Sequence, residues 1–217
     1  MKSKSRVADH GEVFTSDREV NAMLDLVKQE TLRIDSRFLE PACGTGNFLA
    51  EVLNRKLSVV EKQYKRNQLD FEKNCVIAIS SIYGIDILAD NVSECKARLF
   101  SIFDETYTRL YKKKVKESVK ESICYILDKN IIHGDALSLK TDDGKPIIFA
   151  EWSMFSGSKI KRRDYHFESL SKSETKETGL FEEPEEELSS DMGDDVFIPK
   201  PDRTYPSTHF LRIADVG

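Results

Sequence analysis

The stretch "FLEPACGTGNF", residues 38–48, places an acidic residue, a proline and two closely spaced glycines between two apolar segments. Phe38 and Leu39 are typical of the end of a buried strand, and the residues after Gly46 have the spacing of a helix. Glycines let the backbone approach a ligand without a Cβ in the way, and a helix start offers unpaired N–H groups. This turn therefore predicts a nucleotide-binding site in an α/β fold.

Two aspartates end further segments that are rich in β-forming residues. Asp86 closes "IYGID" and Asp135 closes "IIHGD". An ionised carboxylate only accepts hydrogen bonds, so at a strand end it suits hydroxyl or amino groups of a ligand. Structural explanations stand beside these functional ones. The two aspartates can be strand-end caps, the two glycines a helix-cap turn, and Phe48 a core residue.

The segments that position these residues alternate between helix and strand. A helix start signal lies at residues 15–19, and residues 90–129 have a helical stripe that is expected to break near Lys112 to Lys116. Strands are expected at residues 37–40, 80–88, 130–137 and 146–155, with helices after the glycine turn and through residues 56–74. This alternation predicts a mostly parallel sheet.

Composition leaves several classes of partner open. The chain has 217 residues and a net charge of −5, which suits one domain with appendages. The low-complexity segment 168–195 is strongly acidic, so the rest of the chain is slightly basic and a nucleic-acid partner is not excluded. The region after residue 156 has no regular pattern apart from "THFLRI", which suggests one last short strand.

Cysteine spacing and hydropathy give expectations about the compartment. The four cysteines form no Cys-x-x-Cys pair, so we expect reduced thiols and no metal site. No run approaches the length of a membrane helix, and residues 1–14 lack the apolar core of a signal peptide. We expect a cytoplasmic protein without a membrane partner.

The glycine turn resembles one known family more than another. A nicotinamide or flavin fingerprint would require a glycine where Leu49 stands. "EPACGTGNF" instead resembles motif I of S-adenosylmethionine-dependent methyltransferases, most closely the DNA adenine-N6 class of restriction–modification systems. The resemblance implies a Rossmann-like class I methyltransferase fold, with a mostly parallel sheet, helices on both faces and S-adenosylmethionine as cofactor.

Further motifs in the same order extend this resemblance across Val7 to Leu139. "GEVFT" at residues 11–15 is similar to the N-terminal motif that closes over the methionyl part, with Ser16 where relatives commonly have proline. Asp86 matches the position that binds the ribose hydroxyls, and Asp135 the position that accepts a hydrogen bond from the adenine amino group. The implied cofactor-binding residues are Val13, Phe14, Thr15, Glu40, Pro41, Cys43, Gly44, Gly46, Asn47, Phe48, Asp86, Ile87, Asp135 and Ala136, with Leu137 also beside the base.

The catalytic loop of that family is absent in recognisable form. Relatives end the next strand in Asn-Pro-Pro-Tyr or a close variant, which holds and stacks on a flipped adenine. Here residues 150–153 are Ala-Glu-Trp-Ser. Glu151 could accept a hydrogen bond and Trp152 could stack on a base, although a core or interface position for Trp152 is the favoured interpretation.

The sheet is expected to be short of strands. About four strands can be counted where the family has seven, so the fourth would leave an open edge that a second protein subunit could complete. A predicted basic loop follows, with Lys159, Lys161, Arg162 and Arg163 as candidates for DNA phosphate contacts. The alternatives are a solvated loop or a counter-ion for the acidic segment, and Lys112 to Lys116 is expected to be the exposed face of a helix.

These observations predict three regions and two functions. Residues 1–36 would form a cofactor-closing helical segment, 37–156 the Rossmann-like core, and 157–217 the basic loop, the acidic segment and a short strand. The predicted function is a DNA adenine-N6 methyltransferase or the cofactor-binding subunit of a split one, acting on DNA within a complex. The alternative is a non-catalytic interaction or regulatory subunit, and a methyltransferase acting on RNA or protein is a third possibility.

Overall fold

The computed structural model describes residues 15–155, 157–171 and 200–216. Helices and strands alternate through most of this range, as expected for an α/β chain. The helices are α1 (Asp17–Leu26), α2 (Lys28–Thr31), α3 (Asn47–Tyr64), α4 (Gln68–Ser80), α5 (Ala89–Tyr111), α6 (Glu117–Asn130) and α7 (Phe167–Ser171), with 3-10 turns at Lys112–Lys114 and Phe210–Val216. The strands are β1 (Phe38–Glu40), β2 (Ile82–Asp86), β3 (Ile131–Asp135), β4 (Lys140–Thr141), β5 (Ile148–Met154), β6 (Lys159–His166), β7 (Arg203–Thr204) and β8 (Thr208–His209).

The main sheet has the strand order β1-β2-β3-β4. β1, β2 and β3 are parallel, and β4 is antiparallel to β3. The prediction of a mostly parallel sheet is confirmed. In the described residues β1 has β2 as its one strand neighbour, so the open edge next to the glycine turn lies at β1. The expectation that residues 146–155 form that edge is wrong.

Residues 148–154 belong to a second sheet. β5 pairs antiparallel with β6 from Ile148 opposite His166 to Met154 opposite Ile160, and β7 and β8 extend β6. The predicted basic loop is therefore wrong, because residues 159–166 form a strand. This hairpin also crosses the predicted boundary at residue 156. It covers one face of the main sheet, where Tyr83 donates a 2.9 Å hydrogen bond to the carbonyl of Ala150.

Four helices extend past the strands on the side away from the glycine turn. α3 leads away from the sheet and α4 leads back, and α5 and α6 do the same. The two helical hairpins, α3–α4 and α5–α6, contact each other. The expected break near residue 112 is confirmed, since α5 ends at Tyr111 and α6 begins at Glu117. Phe103, Tyr107 and Phe71 stack within this bundle, with ring centroids 5.4 and 6.2 Å apart.

A buried lysine fixes the segment that leads into β1. Lys56 of α3 is fully buried, and its Nζ donates to the carbonyls of Ile34 and Ser36 and to the hydroxyl of Ser81. The ammonium group also lies 5.2 Å from the centroid of the Phe38 ring. Burial lowers the pKa of Lys56 to about 7. The strand that carries the glycine turn is thus held to helix and sheet at its start.

The N-terminal helix begins as the sequence predicts. Ser16 is the N-cap of α1 and exchanges hydrogen bonds with Glu19, so the serine that replaces the family's proline supplies a capping box. Val20 and Leu24 are buried in the core. Among the described helices, none is both long enough and apolar enough to cross a membrane.

Candidate functional site

A cavity of about 590 Å³ lies at the carboxyl ends of β1, β2 and β3. The open ends of parallel strands are where α/β folds bind their ligands. The glycine turn forms one wall of this cavity, and the residues that follow Asp86 and Gly134 form the others. Among the predicted cofactor residues, its lining includes Thr15, Glu40, Pro41, Cys43, Gly44, Asn47, Phe48, Asp86, Ile87, Asp135 and Ala136, together with Leu137.

The glycine turn requires its two glycines for different reasons. Gly44 and Gly46 have φ values of +52° and +83°, where side chains other than glycine are strained. A Cβ on Gly44 would meet nothing within 4 Å, whereas one on Gly46 would lie 2.6 Å from Sγ of Cys95. Gly46 is also the N-cap of α3 and provides no side-chain cap, so the first N–H groups of that helix, which begins at the cavity, lack such a partner.

Asp86 joins the glycine turn to the end of β2. Its Oδ2 accepts a 2.8 Å hydrogen bond from the N–H of Gly44, and its Oδ1 accepts bonds from Leu88 N–H and Asn91 Nδ2. The side chain is 8% exposed. Three donors occupy about three of the four acceptor positions of a carboxylate, so Oδ2 keeps room for one more donor. Asp86 is both a strand-end cap and a cavity residue.

Glu40 has no partner of this kind. Its backbone pairs with β2, but its carboxylate lines the cavity at the end of β1 and forms no hydrogen bond or salt bridge with any residue that the structure describes. Burial raises the pKa of Glu40. A partly buried carboxylate without a partner is destabilising for the free chain and favourable for a bound cation.

The far wall of the cavity combines one carboxylate with exposed apolar groups. Oδ1 of Asp135 accepts a 2.9 Å bond from the N–H of Leu137, and this bond is the main cause of the lowered pKa of Asp135. Ile87 is 60% and Leu137 95% exposed. Ile87 and Leu137 follow neighbouring strands and suit the faces of a flat ring, and Asp135 suits a hydrogen-bond donor at the edge of that ring.

Two buried thiols lie beneath the glycine turn. Sγ of Cys43 in the turn donates to the carbonyl of Gly44 at 3.8 Å, and the interaction with the thiol of Cys95 on α5, together with burial, raises the pKa of the Cys43 thiol. A thiol with a raised pKa is a poor nucleophile, so Cys43 packs rather than reacts. All four cysteines are free thiols. The described residues contain no cluster of histidine, cysteine and carboxylate side chains that could hold a metal ion.

The structure does not bring the two catalytic candidates to the cavity. Glu151 accepts hydrogen bonds from Arg37 at 2.9 Å and Arg163 at 3.1 Å, which neutralise its charge. The indole N–H of Trp152 donates to Oδ1 of Asn130 at 2.9 Å, and the side chain packs, half-buried, against the hydrophobic core. Val13 and Phe14 lie outside the described residues.

Two of the four basic candidate residues on β6, Arg162 and Arg163, form ion pairs within the protein. Arg162 forms two hydrogen bonds to Asp164, at 2.6 and 2.7 Å, and lies 4.3 Å from the centroid of the Tyr205 ring. Arg163 is paired with Glu151. Lys159 is exposed and Lys161 is half-buried on the same strand. Two of the four charges are therefore neutralised inside the second sheet, which disagrees with a basic loop offered to DNA.

A family model gives the identity of this region. The model of the MmeI DNA-methyltransferase domain matches residues 14–147, more than half of the chain. The chain belongs to this family. The match supports a DNA methyltransferase of the restriction–modification kind and covers every described residue that lines the cavity. No curated protein matches significantly, and neither does any solved structure.

The MmeI-type match ends at residue 147, just before β5. The second sheet, with Glu151, Trp152 and the basic strand β6, therefore lies outside the matched part. Sequence reasoning found the cavity from the spacing of glycines and acidic residues. It missed the hydrogen bond between Gly44 and Asp86, which joins residues distant in sequence. It also missed that the Glu40 carboxylate has no partner among the described residues, because an absence of contacts leaves no pattern in the sequence.

Proposed function

We propose that this MmeI-type domain binds S-adenosylmethionine and is the cofactor-binding part of a DNA adenine-N6 methyltransferase. The observation that carries the proposal is the charge of the cavity. Its described lining contains the carboxylates of Glu40, Asp86 and Asp135 and no lysine or arginine. Such a lining disfavours nucleotides with phosphate groups and favours a nucleoside that carries positive charges, as the sulfonium and ammonium groups of S-adenosylmethionine do.

Each part of that ligand has a matching group in the cavity. The remaining acceptor position of Asp86 and its place at the end of β2 suit a ribose hydroxyl. Asp135 suits the adenine amino group, with Ile87 and Leu137 at the ring faces. The free N–H groups at the start of α3 suit the methionyl carboxylate, since a helix N-terminus favours an anion. Glu40 remains available to pair with a positively charged group of the ligand.

Catalysis is assigned to a second polypeptide. When S-adenosylmethionine is bound it supplies an activated methyl group, and the described cavity offers no side chains arranged to hold a target amino group. The open edge of β1 lies directly beside Glu40 and Pro41. Because parallel strands end at the same edge of a sheet, a strand added there in parallel would place its following loop at the cavity. We assign the missing Asn-Pro-Pro-Tyr loop to such a strand.

The first experiment is calorimetric titration of the purified chain with S-adenosylmethionine and, separately, with S-adenosylhomocysteine and ADP. We expect the first two ligands to bind and ADP to bind much more weakly. Glu40→Gln should weaken S-adenosylmethionine binding by about tenfold without loss of stability, because it removes one charge interaction and the carboxylate has no hydrogen-bond partner among the described residues. An equal loss of affinity for S-adenosylmethionine and S-adenosylhomocysteine would indicate that Glu40 contacts the ammonium group, the cation that both ligands share. Tight ADP binding would contradict the proposal.

The second experiment tests the open edge with a matched pair of variants. Leu39 of β1 is 42% exposed and Leu69 of α4 is 44% exposed. A candidate partner is a protein encoded next to this chain that carries Asn-Pro-Pro-Tyr. We expect it to co-purify with the wild type and with Leu69→Asp, to dissociate from Leu39→Asp, and to restore methyl transfer to adenine in DNA. A complex without methyl transfer would favour the alternative function, a non-catalytic subunit that binds cofactor.

A further inference from the structure

The far end of the four-helix bundle carries a cluster of positive charges. Lys62, Lys65 and Arg66 lie at the turn between α3 and α4, and Lys112, Lys113 and Lys114 form the turn between α5 and α6. All six side chains are exposed. We call this cluster the basic tip. In sequence the two groups are more than forty residues apart, so neither alone predicts the combined surface.

The two turns are fixed to each other by hydrogen bonds. Tyr111 donates to the carbonyl of Lys65 at 3.1 Å, and Gln68 donates to the carbonyl of Lys114 at 2.7 Å. Glu72 lies below them, fully buried, and accepts a 2.7 Å bond from Nζ of Lys116. The two turns that carry the cations of the basic tip therefore keep a fixed spacing although they belong to different helical hairpins.

The positive charge of the basic tip is not cancelled locally. None of its six side chains forms a salt bridge with another residue in the described ranges, while the neighbouring acids Glu61 and Glu72 are paired with Arg109 and Lys116. Asp70 and Glu117 add two negative charges nearby in sequence. A fixed group of exposed cations with a clear positive excess is the kind of surface that binds a polyanion.

We propose that the basic tip binds the phosphate backbone of duplex DNA without reading its sequence. The aromatic residues of the bundle end, Phe71, Tyr107 and Tyr111, pack on one another, so the tip offers no platform for the bases of a single strand. Both turns lie within the part that matches the DNA-methyltransferase family. The tip is separated from the cavity by the length of α3, about 27 Å or eight base pairs.

Fluorescence anisotropy with a labelled duplex of about 25 base pairs tests this surface at about 50 to 200 mM salt. The tip variant combines Lys65→Gln, Arg66→Gln and Lys113→Gln. The control variant, Lys28→Gln with Arg18→Gln and Lys140→Gln, removes the same charge at exposed positions elsewhere. We expect the tip variant to bind about tenfold more weakly with a shallower salt dependence, and the control to bind within about twofold of wild type.

Equal binding by the tip and control variants would overturn the proposal, as would a wild-type chain that does not bind duplex DNA. If wild type does not bind duplex DNA but a variant lacking residues 172–199 does, and the tip substitutions weaken that binding, the basic tip of the intact chain binds its own acidic segment instead of DNA. S-adenosylmethionine affinity of the tip variant should equal that of wild type, since the cavity is distant. Failure of the cofactor proposal and failure of the DNA proposal are thereby measured separately.

Discussion

The N–H of Gly44 and the carboxylate of Asp86 meet at 2.8 Å, although forty-two residues separate them in the chain. The bond fixes the glycine turn against the end of β2, the two elements that would hold the methionyl carboxylate and the ribose of the proposed ligand. The carboxylate therefore shapes the cavity before any ligand arrives. A ligand hydroxyl would add to an existing network rather than create one.

Asp86→Ala should affect both stability and binding. It removes the acceptor of the partly buried N–H groups of Gly44 and Leu88, so we expect the free energy of unfolding to fall by about 1 to 3 kcal/mol. S-adenosylmethionine binding should be lost in calorimetry. Asp135→Ala is the comparison: its carboxylate lines the same cavity at a half-buried position and accepts fewer hydrogen bonds. It should weaken binding with little change in urea unfolding, and equal destabilisation by both variants would contradict this account.

Gly46→Ala should be far more damaging than Gly44→Ala. Both positions have positive φ, which costs alanine about 1 kcal/mol, but only at position 46 would the new Cβ collide with Cys95, at 2.6 Å. We expect losses of about 3 and about 1 kcal/mol, respectively, in urea unfolding. Adding Cys95→Ala to Gly46→Ala should recover part of the larger loss. Strict additivity of the two changes would show that the thiol is not the obstacle.

The parts of the site that sequence predicts are those governed by local rules. The spacing of Gly44 and Gly46 identifies a ligand-binding turn, and the apolar segment before Asp86 identifies a strand end. Ser16 and Glu19 predict the start of α1 because a capping box is a property of four neighbouring residues. Each of these signals is complete within a few residues of the chain.

The parts that sequence does not predict depend on partners from elsewhere. "KIKRRDYH" suggests a charged loop until Asp164 and Glu151 are seen to pair with its arginines within a sheet. Lys56 lies in a charged helix and has no local sign of burial, since its acceptors come from the loop before β1 and from Ser81. Long-range pairing of this kind cannot be read from residue type or periodicity.

Lys56 should make stability depend on pH in a defined direction. Its pKa is about 7 in the folded chain and 10.5 in its unperturbed state. Between these values the unfolded chain binds a proton that the folded chain does not, so this group makes stability rise with pH. The slope is at most about 1.4 kcal/mol per pH unit. Below pH about 7 both states are protonated and the contribution is constant.

The measurement compares wild type with Lys56→Met in urea unfolding across about pH 7 to 9. Methionine keeps the apolar stem but cannot titrate. The stability of wild type relative to the variant should therefore increase with pH. Raised pKa values of buried groups such as Cys75 and Tyr83 produce an opposite trend in both proteins, which cancels in the difference. A difference that does not change with pH would show that Lys56 titrates normally.

Lys112→Gly should stabilise the chain while weakening DNA binding. Lys112 has φ of 51° and ψ of −116°, a backbone conformation that glycine adopts freely and lysine does not. Relief of this strain, reduced by the greater freedom of glycine in the unfolded chain, should raise the free energy of unfolding by about 0.5 to 1 kcal/mol.

Lys112→Gln keeps the strain and removes only the charge. The affinity for duplex DNA should fall by the same factor of a few in both variants, but only the glycine variant should unfold at a higher urea concentration than wild type. A glycine variant that is less stable than wild type would show that the turn is not strained, and unchanged affinity in both variants would remove Lys112 from the basic tip.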